Sequence, residues 1–373
     1  MNILLKGYYG FGNFGDDLLM LISYRLIKEK YPSSNVTIFS NNTENLSGFK
    51  LKQGYNNYIF KILEKKVPLV DWTFKGHFDL VVEGGGGTYF DNQYGGMFYY
   101  LRNKVINIIS YSTLKRVDFL LRNITGRKQR ITYNKKIILG IGIGPYTNSA
   151  KLFYANLVDL ASSDFIMVRD KISFNLIKKL RKRSLGSDLA FATNYWNDLF
   201  QQSHSSNTSQ SVGFILMGNK TTFENKILGL ALHLKKLGWN VHFFAFDEAV
   251  DKSFINECKK HFNINIWQPH SITLNEYILQ LQKCSILFTE RAHGAIVGAI
   301  IGCTPFYISS SYKTNQILSF FKNANYNNSM TCKKLDKDML DSLYMNMGNK
   351  KELLKTDVEL NRIIVTNSLK LAF

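Results

Sequence analysis

Acid, cysteine and long apolar runs are all scarce in this chain. Only 28 of 373 residues are Asp or Glu, against 47 Lys or Arg, so the formal net charge is +19. That balance leaves anionic partners: a phosphorylated small substrate, an acidic glycan, a membrane surface or nucleic acid. The four cysteines, Cys258, Cys284, Cys303 and Cys332, are widely spaced and form no CxxC pair, which argues against a disulfide framework and a structural zinc site. No HxxxH or HExxH pair occurs, so no catalytic metal is expected. The longest apolar stretch, 295–308, is broken by glycines and Pro305 and is shorter than the ~20 residues a bilayer span requires. At the N-terminus, Met1 to Gly7 reaches a glycine before an apolar signal core could form. The expectation is a soluble cytoplasmic protein with a strong positive field.

What is present is a globular composition, 45% hydrophobic, long enough for two domains of roughly 100–200 residues each. Short apolar strands alternate with helical patterns. Residues 2–5, 36–39, 78–82, 136–143 and 164–168 read as strands, and 16–30 reads as a helix. After a Ser/Asn/Gln-rich stretch the alternation resumes, with strands at 212–217, 240–244, 264–267, 285–288 and 306–308. Continuous apolar strands separated by helices imply parallel sheets covered on both faces. The expected fold class is therefore α/β, two doubly wound Rossmann-like domains: 1–193, a linker at 194–210, 211–350, and a C-terminal helix at 351–373. Ligands of such sheets bind beyond the carboxyl ends of the strands, and with two domains the cleft between them is the expected site.

The charge is unevenly spread. Residues 101–183 carry 18 Lys/Arg and four acids (Asp118, Asp159, Asp164, Asp170), a balance of +14. Within them, 101–136 mixes cations with apolar residues at spacings of three and four, the pattern of a basic amphipathic helix. Such a helix suits an anionic membrane; a solvated surface helix is the plainer alternative. Nucleic acid is not expected, because no recognition motif accompanies the charge. A second run, Lys178 to Arg183, reads as the charged end of a helix.

Three strand ends in the first domain are rich in glycine. Residues 7–17, GYYGFGNFGDD, contain a formal GxGxxG. A dinucleotide is a weak reading, because the second strand ends without an acid for a ribose, and Asp16 and Asp17 occupy the helix N-terminus. A tight turn needing positive φ is one alternative. The other is a loop lining a substrate cleft, with Asn13 and Asp17 as polar contacts. Gly84 to Gly87, including Gly85 and Gly86, allow close approach of a ligand or another backbone and can form an anion nest. Gly140, Gly142 and Gly144 end a third strand in the same way.

Cations gather at strand ends as well. Arg291 and His293, two residues apart after the strand at 285–288, pair a fixed guanidinium with a titratable imidazole. Arg169 ends a first-domain strand, and Lys313 follows another strand end. Glu290 and Asp170 are placed to orient the neighbouring arginines.

These residues resemble the polysaccharide pyruvyl transferase family. The carriers are GYYGFGNFGDD at 7–17, EGGGGTYFD at 83–91, GIGIGP at 140–145, VRD at 168–170, SDLAF at 187–191 and ERAHGAIVGAIIGCTPFYISSSYKTNQI at 290–317. The resemblance implies a two-domain arrangement similar to GT-B glycosyltransferases. It also implies transfer of pyruvate from phosphoenolpyruvate to hydroxyls of a sugar in a cell-surface or exopolysaccharide precursor, forming a ketal. Family positions carried onto this chain are Arg291 and His293 as the catalytic pair, with Arg169 and Lys313 beside them. Phosphoenolpyruvate is then a donor substrate and no cofactor is implied. The basic region at 101–136 has no counterpart in the family pattern and leaves the acceptor open. With that region on a membrane, the expected acceptor is lipid-linked and the expected location is the inner face of the plasma membrane. A GT-B-type glycosyltransferase using a nucleotide sugar is the alternative.

Overall fold

Apolar runs that can be covered on both faces form parallel sheets, and this chain forms two. The computed structural model describes residues 1–40, 55–70, 74–89, 131–144, 150–200, 210–218, 221–308, 313–323 and 347–373. The first sheet contains β1 (Asn2–Lys6), β2 (Asn35–Phe39), β3 (Leu69–Val70), β4 (Gly76–Glu83), β5 (Gly86–Tyr89), β6 (Ile131–Ile143), β7 (Phe165–Val168) and β8 (Arg183–Leu185). Its order is β3-β2-β1-β4-β6-β7-β8, and β5 pairs with β6 off that path. The second sheet contains β9 (Ser211–Ile215), β10 (Asn240–Ala245), β11 (Ile264–Ile266), β12 (Ile286–Thr289) and β13 (Thr304–Tyr307), in the order β11-β10-β9-β12-β13. Every pairing in both is parallel. Strand order reverses between β1 and β4 and between β9 and β12, and such switch points are where doubly wound sheets open a crevice.

The helix α1 (Phe14–Lys30) has clear end signals. Asn13 caps it by accepting from the N–H groups of Gly15 (3.1 Å) and Asp16 (3.4 Å). Acids occupy its first turn, and Lys28 and Lys30 its last, matching the helix dipole. The expected helix end at 178–183 is different in the structure. The helix Lys171–Leu176 stops first, Lys182 takes a left-handed φ of 54°, and Arg183 opens β8. The amphipathic region 101–136 lies outside the described residues up to 130, and 131–136 belong to β6 rather than to a helix. Of the linker expected at 194–210, residues 201–209 are not described. The part before them is not solvated chain: short 3-10 turns bury Trp196, whose Nε1 donates to the Ala190 carbonyl at 2.8 Å.

The two domains share one apolar core. Phe14, at the start of α1, lies against the rings of Phe246, Trp267 and Tyr277 from the second domain. Its N–H donates to the Phe246 carbonyl at 2.9 Å, and Asn13 forms a β-bridge with Asp247. Asp17 accepts from Trp267 Nε1 at 2.8 Å. The last helix, spanning Met347–Ala372, returns to the first domain. Its Asn361 donates to the Phe320 carbonyl (2.8 Å) and accepts from Ser187 (2.7 Å). Among the described residues no helix is long and apolar enough to cross a membrane.

Asp17 is 1% exposed. Burial raises its carboxyl well above the ordinary 3.8; Asp16 and Asp247 add to the rise, while hydrogen bonds from Trp267 and Tyr58 oppose it. A carboxyl raised in the folded state favours folding at low pH and loses that contribution as pH rises toward its folded value. Asp17→Asn keeps an acceptor for Trp267 and cannot ionise. In thermal melts it should exceed wild type in Tm near neutral pH, and the gap should close toward about pH 4, where the unfolded carboxyl also protonates. An equal offset at both pH values would contradict this.

Candidate active site

The reversal points of the two sheets face each other across the seam. From the first domain come the loop after β1, the glycine run after β4, and Arg169 after β7. From the second come the segment after β12, with Arg291 and His293, and the turn after β9. The Glu290 carboxylate accepts from the Met217 N–H at 2.8 Å, tying the ends of β9 and β12 together. Asp170 likewise caps the helix that follows it, accepting from the Ser173 N–H at 2.8 Å.

Asp188 joins the cations. Its side chain is fully buried, and it opens the 3-10 turn Leu189–Phe191 by accepting from the Ala190 N–H at 3.1 Å. Oδ2 accepts from Arg169 Nη1 at 3.0 Å. Oδ1 lies 3.6 Å from His293 Nε2, which the second domain supplies. Burial raises this carboxyl, but His293, Arg169 and the Ala190 N–H outweigh it and hold it down to about 2. Asp188 thus binds Arg169 from its own domain and faces the His293 imidazole from the other. Arg291 is held by Asp251, which accepts from Nη2 while its other oxygen accepts from the N–H groups of Phe246 (3.2 Å) and Asp247 (3.1 Å). Among the described residues, Nε of Arg169, Nε of Arg291 and Nε2 of His293 are buried without a hydrogen-bond partner. Buried N–H groups left open in this way are costly.

The glycines make room chiefly for the protein's own side chains. A Cβ on Gly15 would stand 2.0 Å from Nδ1 of His293, and one on Gly142 would stand 2.7 Å from Nε of Arg169. Gly7 lies under the Tyr9 ring, Gly84 under Tyr9 and Ser23, and Gly140 under Leu189. Gly85, expected to face a ligand, lies under Leu19 instead: a Cβ there would stand 3.0 Å from Leu19 Cδ1. Gly86 has φ +104°, and a Cβ there would stand 3.0 Å from Asp16 Oδ1, so it borders the half-buried face of α1. Beneath this glycine run, Glu83 is gripped by Lys136 (2.9 Å) and Lys6 (3.2 Å), and the Tyr89 hydroxyl lies 2.7 Å from the same carboxylate. Despite burial, the two lysines hold Glu83 far below the usual carboxylate range.

Of the expected site residues, the structure brings Arg169 and His293 together at Asp188, while Arg291, two residues before His293, is held by Asp251. Asn13 is a helix cap at the seam. Asp17 does not line the cleft; one helical step away, Asp16 is the acid that faces the glycine run. Lys313 is the first residue of the helix Lys313–Leu318, which follows β13, and its side chain is outside the described residues. Sequence reasoning did not assign Asp188 or Asp251. The SDLAF segment held the one signal, an acid preceding a short turn; nothing local marks Asp251 as the partner of Arg291.

A family model described as polysaccharide pyruvyl transferase matches residues 13–312. No curated protein matches the sequence. Among solved structures, the chain resembles UDP-GlcNAc 2-epimerase from Neisseria meningitidis with TM-score 0.51 and 11% identity, covering 99% of this chain and 98% of that one. It also resembles a putative UDP-N-acetylglucosamine 2-epimerase from Listeria monocytogenes, with TM-score 0.52 and 11% identity over 96% and 90% of the two chains. At such identity the likeness is one of fold, the two-domain GT-B-like arrangement.

Two variants test the geometry. Gly15→Ala should push the imidazole out of place and lower turnover about 100-fold, the scale of a 1 Å misplacement, with Tm close to wild type. Asp188→Asn should leave the buried Arg169 guanidinium without its counter-charge and lower unfolding free energy by roughly 3 kcal/mol in denaturant titration. An active Gly15→Ala protein, or an Asp188→Asn protein of unchanged stability, would contradict this reading of the site.

Proposed function

The chain belongs to the polysaccharide pyruvyl transferase family, and we propose that it moves pyruvate from phosphoenolpyruvate to two hydroxyls of a sugar, forming a cyclic ketal. The observation that carries the reading is the meeting of Arg169 and His293 at Asp188 where the two domains join, with Arg291 two residues before His293 and the buried Nε of both arginines without a hydrogen-bond partner. Phosphoenolpyruvate presents a carboxylate and a phosphate. Arg169 and Arg291 suit them because a guanidinium fork matches either group through paired hydrogen bonds. Lys313 is the proposed third cation.

The reaction needs protons moved, and His293 is the proposed general acid/base. A proton adds to C3 of the enol while a sugar oxygen bonds to C2. The bond from C2 to the phosphate oxygen then breaks, and the second sugar oxygen takes its place. Of the two hydroxyl protons displaced, one is balanced by the proton gained at C3 and the other leaves with phosphate.

The proposed acceptor is a sugar of a cell-surface or exopolysaccharide precursor, carried on a lipid at the inner face of the membrane. Purified protein incubated with phosphoenolpyruvate and a panel of such sugars should release inorganic phosphate. His293→Ala should lower that release by at least about 100-fold, the order of a general acid/base contribution. No release across the panel, with thermal protection by a nucleotide sugar but not by phosphoenolpyruvate, would instead favour a glycosyltransferase.

A further inference from the structure

Nine large apolar residues stand exposed among the described residues, and five of them lie on two neighbouring elements: Leu185 on β8, and Leu353, Leu360, Ile363 and Leu371 on the last helix. Leu371 is 70% exposed, the most of the nine. At about 100° per residue, Leu353, Leu360 and Leu371 fall within about 20° of one another around the helix. The elements touch: Ser368 Oγ is 3.1 Å from Ser184 Oγ and donates to the Leu185 carbonyl at 3.3 Å. β8 is also the edge strand of its sheet, a position that folded proteins ordinarily cover or charge.

The charge around Leu185 and Leu371 is mostly positive, whereas Leu353 and Leu360 each follow a glutamate, Glu352 and Glu359. Residues 171–187 hold Lys171, Lys178, Lys179, Arg181, Lys182 and Arg183 and no acid. All but Arg183 are exposed. Asp164 meets this group at 3.8 Å from Lys182. The last helix has Arg362 and Lys370 but no acid beyond Glu359, which pairs with Arg362. Exposed leucines rimmed by cations, with little acid, match the chemistry of an anionic lipid surface, where side chains enter the interface and cations meet headgroups.

We propose that the edge formed by β8 and the last helix docks on an anionic bilayer, with Leu185 and Leu371 inserted and Lys178, Lys179, Arg181 and Lys182 at the headgroups. The edge continues into the site. Two residues separate Leu185 from Asp188, and the intervening Ser187 is bonded to Asn361 of the same helix. Docking would therefore bring a membrane-held acceptor beside the cation cluster. That use rests on the proposed reaction; the docking does not.

Flotation of the full chain tests it, with vesicles of phosphatidylglycerol and phosphatidylcholine against vesicles of phosphatidylcholine alone. Wild type should float with the anionic vesicles and not with the neutral ones. The double variant Leu185→Ser/Leu371→Ser, and separately the four cations changed to Glu, should each lower bound protein by about tenfold or more. Both should keep wild-type circular dichroism and wild-type phosphate release on a soluble acceptor. Flotation equal to wild type in both variants would overturn the proposal by placing docking elsewhere, as at 101–130. No flotation by wild type would overturn it too, as would a wild-type dimer that the serine variant converts to monomer, or retention on nucleic acid in place of vesicles. Loss of flotation with phosphate release intact separates this proposal from the reaction itself.

Discussion

The site depends on one buried carboxylate. Asp188 carries its charge at full burial, which is unfavourable unless cations and N–H groups surround it. Arg169 and Ala190 come from its own domain, but His293 comes from the other. The electrostatics of the site therefore require the two domains to hold one relative position. Phe14 among Phe246, Trp267 and Tyr277, and the hydrogen bond from Trp267 to Asp17, fix the seam close to where His293 crosses it. Gly15 belongs to the same turn, so the segment that holds the domains together also leaves the space that the imidazole fills.

Much of the fold was legible because buried parallel strands are apolar throughout. All ten strands expected from such runs are present, with ends shifted by a few residues. β5 was not, because Gly86 and Gly87 carry no apolar signal; it is held by pairing with β6 and by the Tyr89 hydroxyl at Glu83 and Asp159. β8 was hidden by the cations of 178–183, which read as a helix end although the chain turns at Lys182.

The site was legible in its cations and not in their partners. Arginine and histidine at the ends of apolar strands can be placed from order along the chain alone. Asp188 and Asp251 stand 105 and 40 residues from His293 and Arg291, which they face, and no local pattern encodes such pairs. The glycine loops show a related limit. Sequence reveals that space is needed at Gly15 and Gly142, but not that the protein's own imidazole and guanidinium occupy it. Asp16 and Asp17 show another: adjacent acids on one helix differ by about 100° in direction, and only the packing of α1 decides which is buried.

The excess of positive charge divides into two uses. A small set at the strand ends, the buried Arg169 and the half-buried Arg291 among them, is paired one cation at a time with acids. A larger set on β8 and its approach is exposed and almost free of acids. The first arrangement suits a small anion held in fixed geometry, the second an extended anionic surface. Mass spectrometry of a defined acceptor glycan, incubated with the protein and phosphoenolpyruvate, tests the central claim most directly. The account predicts a gain equal to one pyruvate less one water, with both hydroxyls lost to further modification. An unmodified glycan, or one that gains a sugar only when a nucleotide sugar is supplied, would contradict it.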